Sequence, residues 1–133
     1  MTEKSNPLKS HFRPCWAAVA LLSLVIVLTL THIPQDALPK ALQRNLLDKF
    51  EHVGAYGMIT AFAILSLKRP VRVPLLLMIL GSLGVIGVLD ELTQPFFNRS
   101  ASAGDYAADL VGMTMACVIV LVGRLVCVPK RSA

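Results

Sequence analysis

Long apolar runs separated by short polar segments constrain this chain more than any other feature. The runs cover about residues 15–33, 50–67, 73–94 and 105–128. A bilayer core about 30 Å thick needs roughly 20 helical residues at about 1.5 Å each. Each run is close to that length. The sequence therefore predicts an all-α, polytopic membrane protein with four transmembrane helices in a single domain over residues 1–133.

The composition agrees with this class of protein. Hydrophobic residues make up 55% of the chain and charged residues only 16%, whereas soluble domains are about 25% charged. The net charge of +5 is compatible with nucleic-acid binding. The chain nevertheless lacks aromatic–basic interleaving and zinc-ligand spacing, so we exclude nucleic acid as a partner. Cys15, Cys117 and Cys127 lie in or beside apolar runs and are interpreted as small hydrophobic residues.

Proline and basic residues mark the limits of the apolar runs. Pro74 suits the first turn of the third predicted span, and Pro95 follows its end. The basic segment 1–13 before the first run also suits a signal peptide. Thr31-His32-Ile33-Pro34 is a poor cleavage site, so we expect an uncleaved first span.

A different pattern lies between the first two predicted spans. Leu38, Leu42 and Leu46 recur every four residues, with Lys40 and Arg44 on other faces. This spacing predicts a short amphipathic helix that lies on the membrane surface.

Basic residues predict the orientation of the four spans. Nine of the thirteen lysines and arginines lie in segment 1–14, in the 68–72 loop, near the end of the fourth span or in the tail after it. The other side holds only four: Lys40, Arg44, Lys49 and Arg99. The positive-inside rule therefore predicts that both termini are cytoplasmic.

Polar and small residues share one face of three predicted helices. These faces contain Asp48, His52 and Tyr56 on span two, Gly84, Gly87, Glu91 and Gln94 on span three, and Asp105, Asp109, Gly112 and Ala116 on span four. Membrane helices approach each other closely along small residues, so we expect these faces to point into the bundle. All three faces become polar at the outer end, where the Arg99 loop also lies. His52, Glu91, Arg99, Asp105 and Asp109 are therefore predicted to converge.

These residues also resemble the motifs of a known family, the VanZ-like membrane proteins. Asp48-Lys49-Phe50-Glu51-His52 with Tyr56 resembles its first motif, and Glu91-Leu92-Thr93-Gln94 followed by Arg99, Ser102, Asp105 and Gly112 resembles its second. Thr31-His32-Ile33-Pro34 is similar to the end of that family's first span. Two departures are Asp109, where the family usually has Asn, and Phe97-Asn98, where it usually has Pro-Gly.

The resemblance implies a bacterial inner-membrane protein. Antibiotic resistance, specifically to teicoplanin, is associated with the family's founding member. We treat resistance as a property at the level of the family and do not assign it to this chain.

Each candidate residue at the helix ends also has a structural interpretation. Ser102 and Asp105 have capping-box spacing, so Asp105 suits a helix N-terminus. Asp109 lies one turn deeper, where capping does not explain it. His52 is either a hydrogen-bonded interfacial histidine or a proton-relay or ligand residue.

Two further expectations concern charge at the outer end. We expect Asp90 to be solvated and Glu91 to face inward. Arg99 either neutralises Asp105 or Asp109, or binds a phosphate through its two-pronged guanidinium. Lys49 is interpreted as an anchor at the membrane interface.

Three functions remain open from the sequence. The leading hypothesis is binding of an anionic or glycopeptide-related envelope component, such as a lipid head group, by His52, Tyr56, Glu91, Gln94, Arg99, Asp105 and Asp109. The alternatives are a membrane enzyme that uses acid–base or metal-assisted chemistry on a lipid-linked substrate, and an assembly partner whose polar residues join helices. We lean away from an enzyme because no nucleophile is clearly placed.

We also expect no cofactor, and no metal, because the spacing matches no compact metal motif. Membrane lipids are the expected partners. Four spans enclose only a small pathway, so transport would require a homo-oligomer.

Overall fold

The computed structural model describes residues 11–34, 37 and 45–127, with the side chains of 45–48 left out. The helices in this part of the chain are α1 (Pro14–Thr31), α2 (Asn45–Ser66), α3 (Val73–Thr93), a short 3₁₀ helix (Gln94–Phe97) and α4 (Ala103–Val126). The all-α prediction is confirmed for these residues. The predicted surface helix around Leu38 and Leu42 lies outside them.

Three helices are long and apolar enough to cross a membrane: α1, α3 with its 3₁₀ extension to Phe97, and α4. Proline at the first turn begins both α1 and α3, where its missing N–H leaves no helical hydrogen bond unmade. The 22-residue α2 is long enough but less apolar, since Lys49, Glu51 and His52 lie in its first turns. That α2 also crosses the membrane, as the second of the four predicted spans, therefore remains a prediction.

The position of α2 explains its lower hydropathy. It packs against α1 on one side and most extensively against α4 on the other. Tyr56, Ile59 and Ile64 are at most 1% exposed. Most of the exposed large apolar side chains lie on the other helices, as at Leu22 of α1, although Phe50 and Met58 of α2 are also exposed. A helix that packs against its neighbours over much of its surface exposes less of that surface to lipid, so it needs fewer apolar residues than a helix with a large lipid-facing side.

Two glycines set the distance between α2 and α4. An added Cβ on Gly112 would overlap the carbonyl oxygen of Val53 and would lie 3.0 Å from the backbone nitrogen of Gly57. On the facing helix, a Cβ on Gly57 would lie 3.3 Å from the carbonyl oxygen of Gly112. The two backbones are thus in direct contact, the arrangement that small residues allow in helix pairs.

The bundle has two different ends. At the first, which we call the basic end, the backbone nitrogen of Arg13 donates to Ser66 O (2.6 Å) and Lys68 N donates to His11 O (2.8 Å). Arg124, near the end of α4, donates from Nη2 to Ile64 O (2.8 Å). The opposite end, which we call the polar end, is where α1 and α3 finish and α2 and α4 begin.

The backbone contact predicts different results for one substitution at two glycines of α4. Gly112→Ala should destabilise the protein by about 1–3 kcal/mol, because the new methyl group forces the helices apart. Gly123→Ala should be neutral or stabilising by up to about 1 kcal/mol, since its Cβ position is open. Equilibrium unfolding in detergent measures both. Equal effects at the two positions would contradict the close contact.

Candidate functional site

Polar side chains from three helices meet inside the polar end. Lys49 and His52 come from the first turns of α2, Glu91 and Gln94 from the end of α3 and the start of the 3₁₀ helix, and Asp105 and Asp109 from the first turns of α4. We call these six residues the polar cluster. All except Lys49 are buried. The described side chains of the predicted stripes point into the bundle and bring His52, Glu91, Asp105 and Asp109 together, whereas the side chain of Asp48 lies outside the described part of the chain.

A buried hydrogen bond between His52 and Asp109 forms the centre of the cluster. Nδ1 of His52 lies 2.8 Å from Oδ1 of Asp109 and 4.0 Å from Oε1 of Glu91. When Nδ1 carries the proton, His52 donates and Asp109 accepts. Gly87 of α3 makes room for the carboxylate, since a Cβ there would lie 3.3 Å from Asp109 Oδ2.

Glu91 connects the end of α3 to the start of α4. Its Oε1 accepts from Gln94 Nε2 (3.2 Å) and its Oε2 accepts from the backbone nitrogen of Ser102 (2.9 Å). Ser102 is the N-cap of α4, and its hydroxyl accepts from Gly104 N (3.2 Å). In a capping box, the third residue of the helix binds the N-cap nitrogen. Here a carboxylate from another helix binds it, so Glu91 fixes the geometry of the loop.

Lys49 contacts the rest of the cluster through Asp105, and its interpretation as an anchor at the membrane interface stays a prediction. Its ammonium lies 2.8 Å from Oδ1 of Asp105, and 45% of its side chain is exposed. Gly104 leaves the space, because a Cβ at that position would lie 2.6 Å from the lysine nitrogen. The spacing of Lys49, His52 and Tyr56 along one face of α2 is the sequence signal that identifies it.

Arg99 lies in the loop between the 3₁₀ helix and α4, at the same end as the cluster. Its backbone nitrogen donates to Gln94 O (3.3 Å), and the residue is half-buried. One of the two alternatives for Arg99 was that it neutralises Asp105 or Asp109, and each of these carboxylates has a basic partner in the structure. Asp109 contacts His52, and Asp105 contacts Lys49.

The expectation that Asp90 is solvated is wrong. Asp90 is 2% exposed, and its Oδ1 accepts from Thr31 Oγ1 (2.8 Å) and lies 3.5 Å from His32 Nδ1. The other ring nitrogen of His32 lies 2.9 Å from Thr93 Oγ1. These contacts join the end of α1 to the end of α3. The sequence signal was the polar pair Thr31-His32 at the end of an apolar run, at the same level as the acidic residues.

Tyr56 is fully buried one turn below His52. It packs with Val27 and Leu83 in the apolar core, and the carboxylates of Asp90, Glu91 and Asp109 lie within electrostatic range of its hydroxyl. Its hydroxyl forms no hydrogen bond with any of the described residues. The same holds for the Oδ2 atoms of Asp90 and Asp109. The polar end thus contains buried oxygen atoms that form no hydrogen bond with the described part of the chain.

The arrangement can support two kinds of chemistry. The His52–Asp109 pair has the geometry of a histidine held by a carboxylate, which suits proton transfer. In addition, His52, Glu91 and Asp105 each offer one ligand atom, and these three atoms lie within 4.8 Å of one another. Both kinds of chemistry use His52.

Comparisons with known proteins give no match for this chain, whether to a family model, a curated protein or a solved structure. The VanZ-like resemblance of the motifs therefore remains a prediction. The function is argued below from the geometry of the polar end.

Proposed function

We propose that this chain is a VanZ-like protein of the bacterial inner membrane that binds an anionic component of the cell envelope, such as a lipid head group, at its polar end. The observation that carries the proposal is the polar cluster itself. It gathers one histidine and three carboxylates inside an otherwise apolar bundle, with Lys49 in its exposed margin and Arg99 in the adjoining loop.

In this proposal α2 is a fourth span. Its 22 residues extend about 33 Å at about 1.5 Å per residue, which matches a bilayer core of about 30 Å. Its polar first turns face α3 and α4 through His52 and Lys49. Both termini are then cytoplasmic by the distribution of basic residues, and the polar end faces outward.

Packing alone does not explain the cluster. The Gly57–Gly112 contact already holds α2 against α4 through their backbones. Charged groups inside a membrane protein are costly, and they are retained mainly where they serve a function. If the cluster served only to join helices, we would expect each buried polar atom to have a partner. Instead, Tyr56 and Asp109 keep oxygens without a partner among the described residues, which supports a ligand over a purely structural role.

The ligand is proposed to contact two layers of the polar end. Arg99 and Lys49 form the cationic rim, and the Arg99 guanidinium suits two oxygens of one phosphate. Beneath the rim, the carboxylates of Glu91 and Asp105 accept hydrogen bonds, so they suit hydroxyl or amine groups of the same ligand. An envelope lipid with a phosphate and a hydroxyl-bearing or amino head group has both features.

A second candidate function is favoured by one distance, the 2.8 Å between His52 and Asp109. A histidine oriented by a carboxylate is suited to act as a general base on a lipid-linked substrate. Release of phosphate from such a substrate, lost in His52→Gln, would favour the enzyme. Binding without release would favour the first proposal.

The orientation predicts where single cysteines are labelled. In a background without Cys15, Cys117 and Cys127, cysteines at Pro34 and Ser102 should react with an impermeant maleimide on intact spheroplasts. A cysteine at Lys68 should react only after permeabilisation, because α2 and α3 each cross the membrane. If Pro34→Cys and Lys68→Cys label from the same side, α2 does not span. If Lys68→Cys alone labels on intact spheroplasts, the orientation is reversed.

The rim predicts a specific loss of affinity. Arg99→Ala should weaken the binding of short-chain phosphatidylglycerol by about tenfold or more, because a charge-assisted hydrogen bond contributes about 1.5–3 kcal/mol. Arg99→Lys should restore only part of the affinity, since a point charge lacks the two-pronged geometry. Titration of the purified protein in detergent, followed by native mass spectrometry, measures both.

Arg72→Ala is the matched control for this prediction. Arg72 is exposed at the basic end, so its removal changes the net charge equally without touching the polar end. Equal losses in Arg99→Ala and Arg72→Ala would indicate non-specific electrostatic attraction and contradict the proposed site.

A further inference from the structure

The polar cluster has an excess of acidic groups. Its three carboxylates, Glu91, Asp105 and Asp109, are buried, and its two basic residues are His52, which contacts Asp109, and the half-exposed Lys49, which contacts Asp105. Asp90 is a fourth buried carboxylate at the same end, and its Oδ1 lies 3.5 Å from His32 Nδ1. Buried carboxylates are stable only when they are paired, protonated or bound to a metal. A metal cation among these carboxylates would add to the positive charge that the rim residues Lys49 and Arg99 offer to an anionic ligand.

The geometry of the cluster provides a place for such a cation. One ligand atom each from His52, Glu91 and Asp105 lies within 4.8 Å of the others, and all three residues are buried. Each ligand comes from a different helix: α2, α3 and α4. The helix ends are fixed relative to one another by the Ser102–Glu91 hydrogen bond and by the Gly57–Gly112 contact, so the ligand atoms are held together by the fold.

The neighbours of these residues match the usual surroundings of metal ligands. Histidine ligands commonly donate their second ring N–H to a carboxylate, which fixes the ring and raises its basicity. With Oδ1 at 2.8 Å from His52 Nδ1, Asp109 takes this role when Nε2 of His52 is the ligand atom. Its own Oδ2 is buried and has no hydrogen-bond partner among the described residues. Glu91 is likewise held by Gln94. The unpartnered Oδ2 of Asp109 is an observation independent of the distances among the three ligand atoms.

We propose that His52, Glu91 and Asp105 bind one divalent cation at the polar end. One imidazole and two carboxylates suit Mn²⁺ or Zn²⁺, since hard all-oxygen sites are typical of Ca²⁺ and Mg²⁺. The cation offsets the acidic interior and leaves coordination positions for phosphate oxygens. This last role rests on the proposed function, because it makes the metal the bridge between the cluster and the anionic ligand.

Lys49 is the competing cation. Its ammonium contacts Asp105 in the structure, and the long, half-exposed side chain can move away when a metal binds. Removing it should therefore strengthen metal binding. Glu51 provides a matched control, since it is an exposed carboxylate on the same helix, next to His52. Glu91→Gln and Glu51→Gln thus make the same chemical change inside and outside the site.

The test is titration of the purified protein with Mn²⁺ alone, followed by electron paramagnetic resonance, and with Zn²⁺ alone, followed by calorimetry. Wild-type protein freed of metal by chelation should bind one ion of at least one of these metals per chain and should melt at a higher temperature with it. Glu91→Gln should lower the affinity by about tenfold or more, Glu51→Gln should leave it unchanged, and Lys49→Gln should raise it.

The wild type decides the question even if Glu91→Gln fails to fold. Absence of saturable binding of either metal to folded, monodisperse protein overturns the metal site. Equal loss in Glu91→Gln and Glu51→Gln overturns it as well, because it indicates surface binding.

Phosphatidylglycerol binding measured with and without chelator separates the two proposals. Metal binding without lipid binding supports the cation site and rejects the envelope ligand. Lipid binding that is unchanged by chelation rejects the metal bridge and leaves the envelope ligand standing.

Discussion

The backbone contact between Gly57 and Gly112 determines how closely α2 and α4 approach, and the polar cluster depends on that approach. A side chain at Gly112 would overlap the Val53 carbonyl and would move the first turns of the two helices apart. His52 lies five residues before Gly57, and Asp109 lies three residues before Gly112, so the 2.8 Å hydrogen bond between them requires the close packing. In this protein, the glycines at one level of the bundle therefore bring the helices close enough for the ionisable residues at the next level to contact each other.

The polar end combines residues that fold the protein with residues that remain available for chemistry. Ser102 caps α4 through its hydroxyl, while its backbone nitrogen binds Glu91. Thr31 and His32 bind Asp90 and thereby connect α1 to α3. These contacts hold the carboxylates in fixed positions without satisfying all of their oxygens. Such preorganisation favours a small ligand that completes the network over a large rearrangement on binding.

Helix periodicity predicted much of this arrangement from the sequence. The spacing of Asp105, Asp109 and Gly112 on one face of α4 implied an inward stripe, and those residues are buried. Periodicity did not predict which side chains form hydrogen bonds or ion pairs with each other, because a long side chain can reach several polar groups at the same depth of the bundle. Lys49, which the sequence suggested only as an anchor at the membrane interface, contacts Asp105. Asp90 is buried because α1 ends beside it, a tertiary contact that the local sequence of α3 does not contain.

The central claim is that α2 and α4 bring a histidine and a carboxylate into direct contact inside the bundle. Solid-state NMR in lipid bilayers tests it directly, by dipolar transfer between the side-chain nitrogens of His52 and the carboxyl carbon of Asp109. His11→Gln and His32→Gln leave His52 as the only labelled imidazole. We predict a transfer signal that fits the 2.8 Å nitrogen–oxygen contact and disappears from its assigned position in Asp109→Asn. A well-resolved His52 resonance with no transfer to Asp109 would contradict the account.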